Sequence, residues 1–552
     1  MKLFHQLLVA PAALGLLAPV AANATELNIN GVSDYAATGE QVTSITQFSD
    51  VYPTDWAYQA LSNLIERYGC VAGYPNGTYR GNRAMTRFEA AALLNACLDR
   101  VTEVTDELKR LMKEFEKELA ILKGRVDGLE ARVGELEATQ FSTTTKLKGV
   151  ATFVIGANSF GGDADDFVGN RRSDEAAALS GGTTFNYDLK LFLDTSFTGK
   201  DLLRTVLRAG NFGDSAFGGD GYVGLDALEV AFEEPSGANS LAVNRLFYQF
   251  PIGSNFTATV GGVVRQDDML AVWPSAYPAD TILDVFTYAG APATYNLGLG
   301  AGAGLSWESN DFSISANYLS TNGANSTPGG PDTLLGTDCA NAGGIATDCA
   351  GSNGTVQIAY APENWGLAAA YNYTSKNNGG SLYAGNGTPL ANIFTSNGNS
   401  SSVGLSAWWS PEEAGWIPSI STGWGYNSVT DGDDTNFFRS ATTQSWYVGL
   451  QWADAFMKGN TLGMAVGQPT FVTNVEYRND VSDSDFVADG NYAWEFWYQF
   501  QVTDNISVTP AIYYLSRPFG DLTDGGNRAF GGNRGNDTFN NFGGLLKTTF
   551  KF

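Results

Sequence analysis

Phe185-Asn186-Tyr187-Asp188-Leu189-Lys190-Leu191-Phe192-Leu193-Asp194 alternates with a period of two. In an extended strand Phe185, Tyr187, Leu189, Leu191 and Leu193 share one face, and Asn186, Asp188, Lys190, Phe192 and Asp194 the other. The same alternation returns at 203–209, 256–264, 312–318, 403–409, 446–452 and 506–514. Short polar turns at 308–311, 362–364 and 503–505 interchange with long Gly/Asn/Ser segments at 321–354, 375–400 and 517–541. Short turns at one end and long loops at the other describe a transmembrane antiparallel β-barrel, apolar toward lipid and polar toward a lumen. A soluble β-sandwich would also alternate. Against it, Trp408, Trp409, Trp416, Trp424, Trp494 and Trp497 crowd the expected strand ends, as interfacial girdles do. Allowing roughly 50 residues per hairpin with its turn and loop, residues 141–552 hold about 16 strands, with 14 or 18 still open. A barrel of that size encloses an aqueous channel.

Composition agrees. The chain has 552 residues with 58 acidic against 32 basic, a formal charge of −26. Nucleic acid is excluded as a partner, because its phosphates require a basic footprint. Charged residues are only 16% of the chain, against about 25% in ordinary soluble proteins. His5 is the sole histidine, and it falls in a stretch that reads as a cleaved leader. Lys2 gives the positive start, Leu7 to Ala22 the apolar run, and Ala22-Asn23-Ala24 the cleavage site, so residues 1–24 are read as a signal peptide. Without imidazole, Ser-His-Asp and Cys-His catalysis and His-ligated metals fall away. The expectation is no enzyme, no metal and no cofactor. After the leader no run of 18 apolar residues occurs, so any membrane crossing must use strands.

Three regimes follow a polar linker at 25–47. Residues 48–100 carry helix signals at both ends, including the capping-box spacing of Thr86 and Glu89, with turn chemistry at Gly73-Tyr74-Pro75-Asn76-Gly77. In residues 101–140, Val101, Val104, Leu108, Leu111, Phe115, Leu119, Leu122, Val126, Leu129, Val133 and Leu136 form a heptad seam with one stutter at Phe115/Leu119. That pattern predicts a coiled coil, with an amphipathic helix lying on a domain as the alternative. The barrel pattern fills 141–552. Cysteines Cys70, Cys97, Cys339 and Cys349 make two local pairs, and an oxidising compartment makes two disulfides the simple reading, although sequence does not fix connectivity.

Phe48-Ser49-Asp50-Val51, Trp56-Ala57-Tyr58, Gly73-Tyr74-Pro75-Asn76-Gly77-Thr78-Tyr79 and Thr86-Arg87-Phe88-Glu89 together resemble a surface-layer-homology (SLH) domain, with Asn76 and Phe88 departing from the common pattern. The resemblance implies binding to peptidoglycan-linked polysaccharide through Gly73, Tyr74 and Pro75, with Arg87 on an anionic substituent and Trp56 on a sugar face. Core packing for Trp56 and a structural ion pair for Arg87 are the alternatives. The C-terminal run ending Phe550-Lys551-Phe552 resembles the assembly signal of bacterial outer-membrane barrels. The order leader, SLH domain, coiled coil, barrel resembles cyanobacterial outer-membrane porins whose barrel belongs to the carbohydrate-selective (OprB) porin family. That implies a homotrimer in outer-membrane lipid, with SLH domain and coiled coil in the periplasm, passing small solutes or ions.

The constriction is sought where charge meets a strand. Forty of the 58 acids and 19 of the 32 bases lie in 141–552, many of the acids in loops that a solvated rim explains. Arg204 and Arg208 share the face opposite Leu203 and Leu207, and Arg265 extends the Thr257/Thr259 face, so all three are assigned to the lumen. Arg245 is ambiguous, since Val243 and Phe247 share its face. Residues 266–296, with Asp267, Asp268, Asp280 and Asp284, are expected to fold inward and oppose the arginines, a variant of a charged-ring filter. An ordinary external loop is the alternative. For function, the reading is a diffusion porin tied to the wall beneath it. The alternative is a structural tether with a closed or plugged barrel.

Overall fold

The structure is a computed structural model, and it describes residues 44–54, 58–63, 65, 113–117, 144–165, 170–219, 221–329, 339, 342–379, 382–431, 438–478, 487–524 and 537–552. The chain forms two compact units, Met1–Gln140 and Phe141–Phe552.

In the first unit a turn of 3-10 helix at Ile45–Gln47 is capped by Ser44, and helix α1 spans Tyr58–Asn63. Ile45, Phe48, Leu61 and Ile65 bury one another, with Val51 and Tyr58 packed against them. From the first SLH-like piece, Phe48 is therefore a core residue and Val51 packs against that core. Backbone at Lys113-Glu114 and Glu116-Lys117 is helical with a bend at Phe115, the position of the heptad stutter. Trp56, Cys70, Gly73, Tyr74, Pro75, Arg87, Cys97, the leader and the rest of the heptad seam lie outside the described residues.

The second unit is a closed barrel of sixteen antiparallel strands, each paired to its neighbours in sequence. They are β1 (Thr145–Gly162), β2 (Thr184–Thr195), β3 (Leu202–Gly210), β4 (Ala242–Ile252), β5 (Phe256–Arg265), β6 (Leu299–Ser309), β7 (Phe312–Ser320) and β8 (Ser352–Tyr360). The second half comprises β9 (Trp365–Thr374), β10 (Asn399–Trp409), β11 (Ser419–Thr430), β12 (Phe438–Ala453), β13 (Thr461–Tyr477), β14 (Tyr492–Thr503), β15 (Ile506–Ser516) and β16 (Phe539–Lys551). The seam is β1 on β16, in register from Val150↔Lys551 to Gly162↔Phe539. Short turns follow the even strands β2 to β14 at one end, and the connections after the odd strands, all but the short β11–β12 one, are longer. Closure leaves no sheet edge, which is the condition for crossing hydrocarbon with strands. Among the described residues no helix is long and apolar enough to cross a membrane.

Side chains alternate as the sequence demands. In β9, Trp365, Leu367, Tyr371 and Tyr373 are exposed on the outside, while Gly366, Ala368, Ala370, Asn372 and Thr374 are buried within. In the quoted stretch Phe185 stands 68% exposed and Asp188 is buried. An apolar belt of this extent is untenable toward water and natural toward lipid. Two of the six tryptophans depart from the girdle expectation. Trp497 is buried inside the barrel, donating from Nε1 to Tyr277 Oη at 2.9 Å, and Trp408 belongs to the inner face of β10 beside Gly366. Period two assigns a face only relative to its neighbours, and an aromatic ring suits both faces. Trp409, Trp424 and Trp494 do point outward, and Trp416 stands almost wholly exposed in the β10–β11 turn.

Candidate functional site: the pore constriction

The connection from β5 to β6, residues 266–298, is folded into the barrel. Its two ends are tied at the base, where Gln266 Nε2 donates to Thr294 O at 2.7 Å and to Thr355 Oγ1 of β8 at 2.6 Å. Its middle lies on the inner wall: Ser421 Oγ accepts from the N–H groups of Ala276 and Tyr277, and the hydroxyls of Ser406 and Ser445 donate to the carbonyls of Ala289 and Gly290. At the far side Glu495 of β14 accepts from Tyr277 Oη at 2.8 Å and Leu283 N at 2.7 Å. Lys547 of β16 donates to the carbonyls of Asp280 and Thr281, the latter at 2.9 Å. The segment thus circles much of the lumen, attached at many points.

The wall beneath it is made of small residues so that backbone can approach backbone. A Cβ added to Gly423 would sit 1.8 Å from Ala289 O, and one added to Gly425 2.9 Å from Ala291 Cα. Small inward residues at Gly404, Gly423, Gly425 and Gly449 were the sequence's record of this contact, legible only once the occupant was known.

The β3–β4 connection also enters the lumen. Its Asp226 is fully buried and accepts from Asn158 Nδ2 of β1 at 3.0 Å and Asn541 Nδ2 of β16 at 2.9 Å. Burial holds that carboxyl well above the usual carboxylate range. The two inward segments join through the antiparallel bridge Leu228↔Leu283, with Glu229 N donating to Ile282 O and Asp284 N to Ala227 O.

A cavity of about 820 Å³ remains, lined by Arg208, Arg245, Arg265, Asp267, Glu229 and Asp284, with Phe212, Phe232, Trp273, Tyr288 and Tyr383 among the aromatic walls. Arg208, Arg265, Asp267 and Asp284 are therefore brought together. Arg204, Asp268 and Asp280 do not line it. Arg204 pairs with Asp194 at 2.8 Å, directly across β2–β3, and Arg208 pairs diagonally with Asp188 at 2.7 Å. The direct countercharges of these two arginines are thus in the wall and not in the acidic loop, although Arg208 shares the cavity with Asp267 and Asp284 of that loop. Asp188 and Asp194 were visible on the polar face of the quoted stretch, but pairing them with arginines needed the strand register. Asp280 is exposed and contributes its carbonyl.

The loop acids meet different arginines. Asp267 pairs with Arg265, and Asp268 accepts from Arg245 Nε at 2.9 Å. Arg245, left unassigned from sequence, is buried and faces inward like Phe247, because a register shift separates it from the outward Val243. A further shift between Gly261 and Val264 interrupts the alternation used for Arg265, which reaches the cavity as the last residue of β5. Burial opposes ionisation of Asp267, yet the Arg265 guanidinium holds its carboxyl below the usual range. Burial and the Asp267 charge push the Asp268 carboxyl up. Glu229 lies 3.8 Å from Lys190 Nζ, while Asp284 Oδ2 accepts from Tyr288 Oη at 2.9 Å. The product is a cavity in which Arg208, Arg245 and Arg265 face the acids Glu229, Glu233, Asp267 and Asp284.

Cys339 and Cys349 are disulfide-bonded in the β7–β8 connection, at the end of the long loops.

The model of the carbohydrate-selective porin, OprB family, matches residues 103–552. The chain belongs to that family. A separate model, the S-layer homology domain, matches residues 47–91 of the porin. The porin is 36% identical to an uncharacterized protein of Nostoc sp., over 89% of this chain and 85% of that protein. Over 16% of this chain and 11% of SlpA, it is 34% identical to the outer membrane protein SlpA of Thermus thermophilus. Among solved structures, Pseudomonas putida OprB superposes with a TM-score of 0.43 at 12% identity, covering 76% of this chain and 96% of that one. The protein is an outer-membrane porin barrel preceded by an SLH domain, and its family and fold are those of a channel.

Proposed function

We propose that the barrel is a diffusion pore for small hydrophilic solutes and inorganic ions, held to the peptidoglycan-linked wall by its SLH domain. The observation that carries the reading is the inward segment 266–298. It narrows a sixteen-strand barrel to a charged cavity of about 820 Å³ without packing the interior solid. Charges on that cavity belong to facing elements: Arg208 to β3, Arg245 to β4, Arg265 to β5, and Glu229 and Asp284 to the two inward segments. Such an arrangement grades ions by sign and size while binding none of them tightly, as conduction requires. A homotrimer is the assembly proposed, with three SLH domains gathered so that weak single contacts to polysaccharide add by avidity. Purified, folded protein in planar bilayers tests the pore. Discrete single-channel steps are expected, and folded barrels that insert without conducting would make the protein a tether.

A further inference from the structure

We propose that Asp284, with Glu229 beside it, is the residue that sets the ion preference of the pore according to pH. The inference deepens the diffusion-pore reading and rests on it. Its basis is the join between the two inward segments. Because Leu228 pairs with Leu283 in an antiparallel bridge, Glu229 and Asp284 fall on the same side of that two-stranded join, one step to either side of it. Both line the cavity. Two carboxylates so placed, with limited water, repel each other, and the repulsion disfavours the charged form of Asp284.

The groups around the two acids differ. Glu229 has Lys190 Nζ at 3.8 Å to compensate its charge. Asp284 has no ion-pair partner among the described residues; one oxygen accepts from Tyr288 Oη, and Arg208 of β3 and Arg265 of β5 act on it from a distance. Both arginines are committed to nearer acids, Asp188 and Asp267. From the β9–β10 connection, Tyr383 faces the same space, and Gly385 approaches the Asp284 carboxylate. Burial, reinforced by the Glu229 charge, pushes the Asp284 carboxyl up to about 7, against the Tyr288 hydrogen bond and the two arginines.

The sign follows directly. Below neutrality Asp284 is uncharged and the arginines prevail, so anions gain. Above neutrality the added negative charge faces the passage, and cations gain.

Reversal potentials in a KCl gradient, measured from pH 5 to pH 9, test this. Wild type should shift toward cation selectivity with a midpoint near neutral pH. Asp284→Asn should keep the acid-side value throughout, and Glu229→Gln should lower the midpoint by about one pH unit. Infrared difference spectra of wild type against Asp284→Asn read the same carboxyl without conduction, through a protonated C=O band lost as pH rises past 7. A conducting barrel whose selectivity is flat across this range, or still shifts in Asp284→Asn, overturns the inference and leaves the pore reading intact. If the barrel does not conduct, the pore reading falls, and the proposed ion preference with it. The infrared band then shows only whether the carboxyl titrates as argued.

Discussion

Arg204 and Arg208 are four residues apart on one strand face, yet their surroundings differ. Arg208 lies 4.0 Å over the Phe232 ring and lines the cavity, whereas Arg204 sits over Phe192 and does not reach it. Removing Arg208 would leave Asp188 compensated only by Lys190, at 3.3 Å. A unit charge about 10 Å from a passing ion in a water-like medium is worth roughly 0.4 kcal/mol, or about a two-fold change in permeability ratio. Arg208→Ala should therefore favour cations by about two-fold, and Arg204→Ala by clearly less. Equal shifts in reversal potential for the two variants would refute the cavity's boundaries. A second residue-scale test concerns Gly423, whose missing Cβ makes room for Ala289 O. Gly423→Val should drive the inward segment off the wall and alter single-channel conductance. Gly182→Val, placed where a Cβ meets nothing within 4 Å, should not.

Among the elements, the inward segment is the one held by charge at its tip. Lys547 is buried and gives its protons to two backbone carbonyls, while Glu495 takes a hydroxyl and an N–H from the same stretch. Lys547→Met strands two carbonyls, each worth about 1–3 kcal/mol when unpaired. Open-channel current noise should rise as the tip loosens; noise and mean conductance indistinguishable from wild type would show that the clamp is dispensable. This element also separates what the sequence declares locally from what it does not. The strands were legible because a period of two is local: Phe185 to Asp194 declares its two faces without reference to any partner. The segment 266–296 was found by its position after a strand and its acids. Lys547 and Glu495 were not, because each lies more than 200 residues from the backbone it holds. Arg245 escaped for a related reason, since a register shift flips the parity on which its assignment depended.

At the scale of the whole molecule, the SLH match and the barrel fall in separate units, and the proposed wall attachment and permeation divide the same way. Arg87→Ala should loosen binding to isolated cell wall while conductance stays intact; a conductance change in that variant would contradict the separation. The seam carries a different consequence. Thr152 and Thr549 meet across it although 397 residues separate them in the chain. Every other strand pair forms between sequence neighbours, so fifteen of the sixteen ladders are of low contact order and the last is of very high contact order. Until β16 docks, β1 and its far neighbour present two open edges, each a template for the wrong partner. Biogenesis of this barrel must therefore shelter an almost complete sheet, and the rate of that single closing step governs how much of the chain is lost to aggregation.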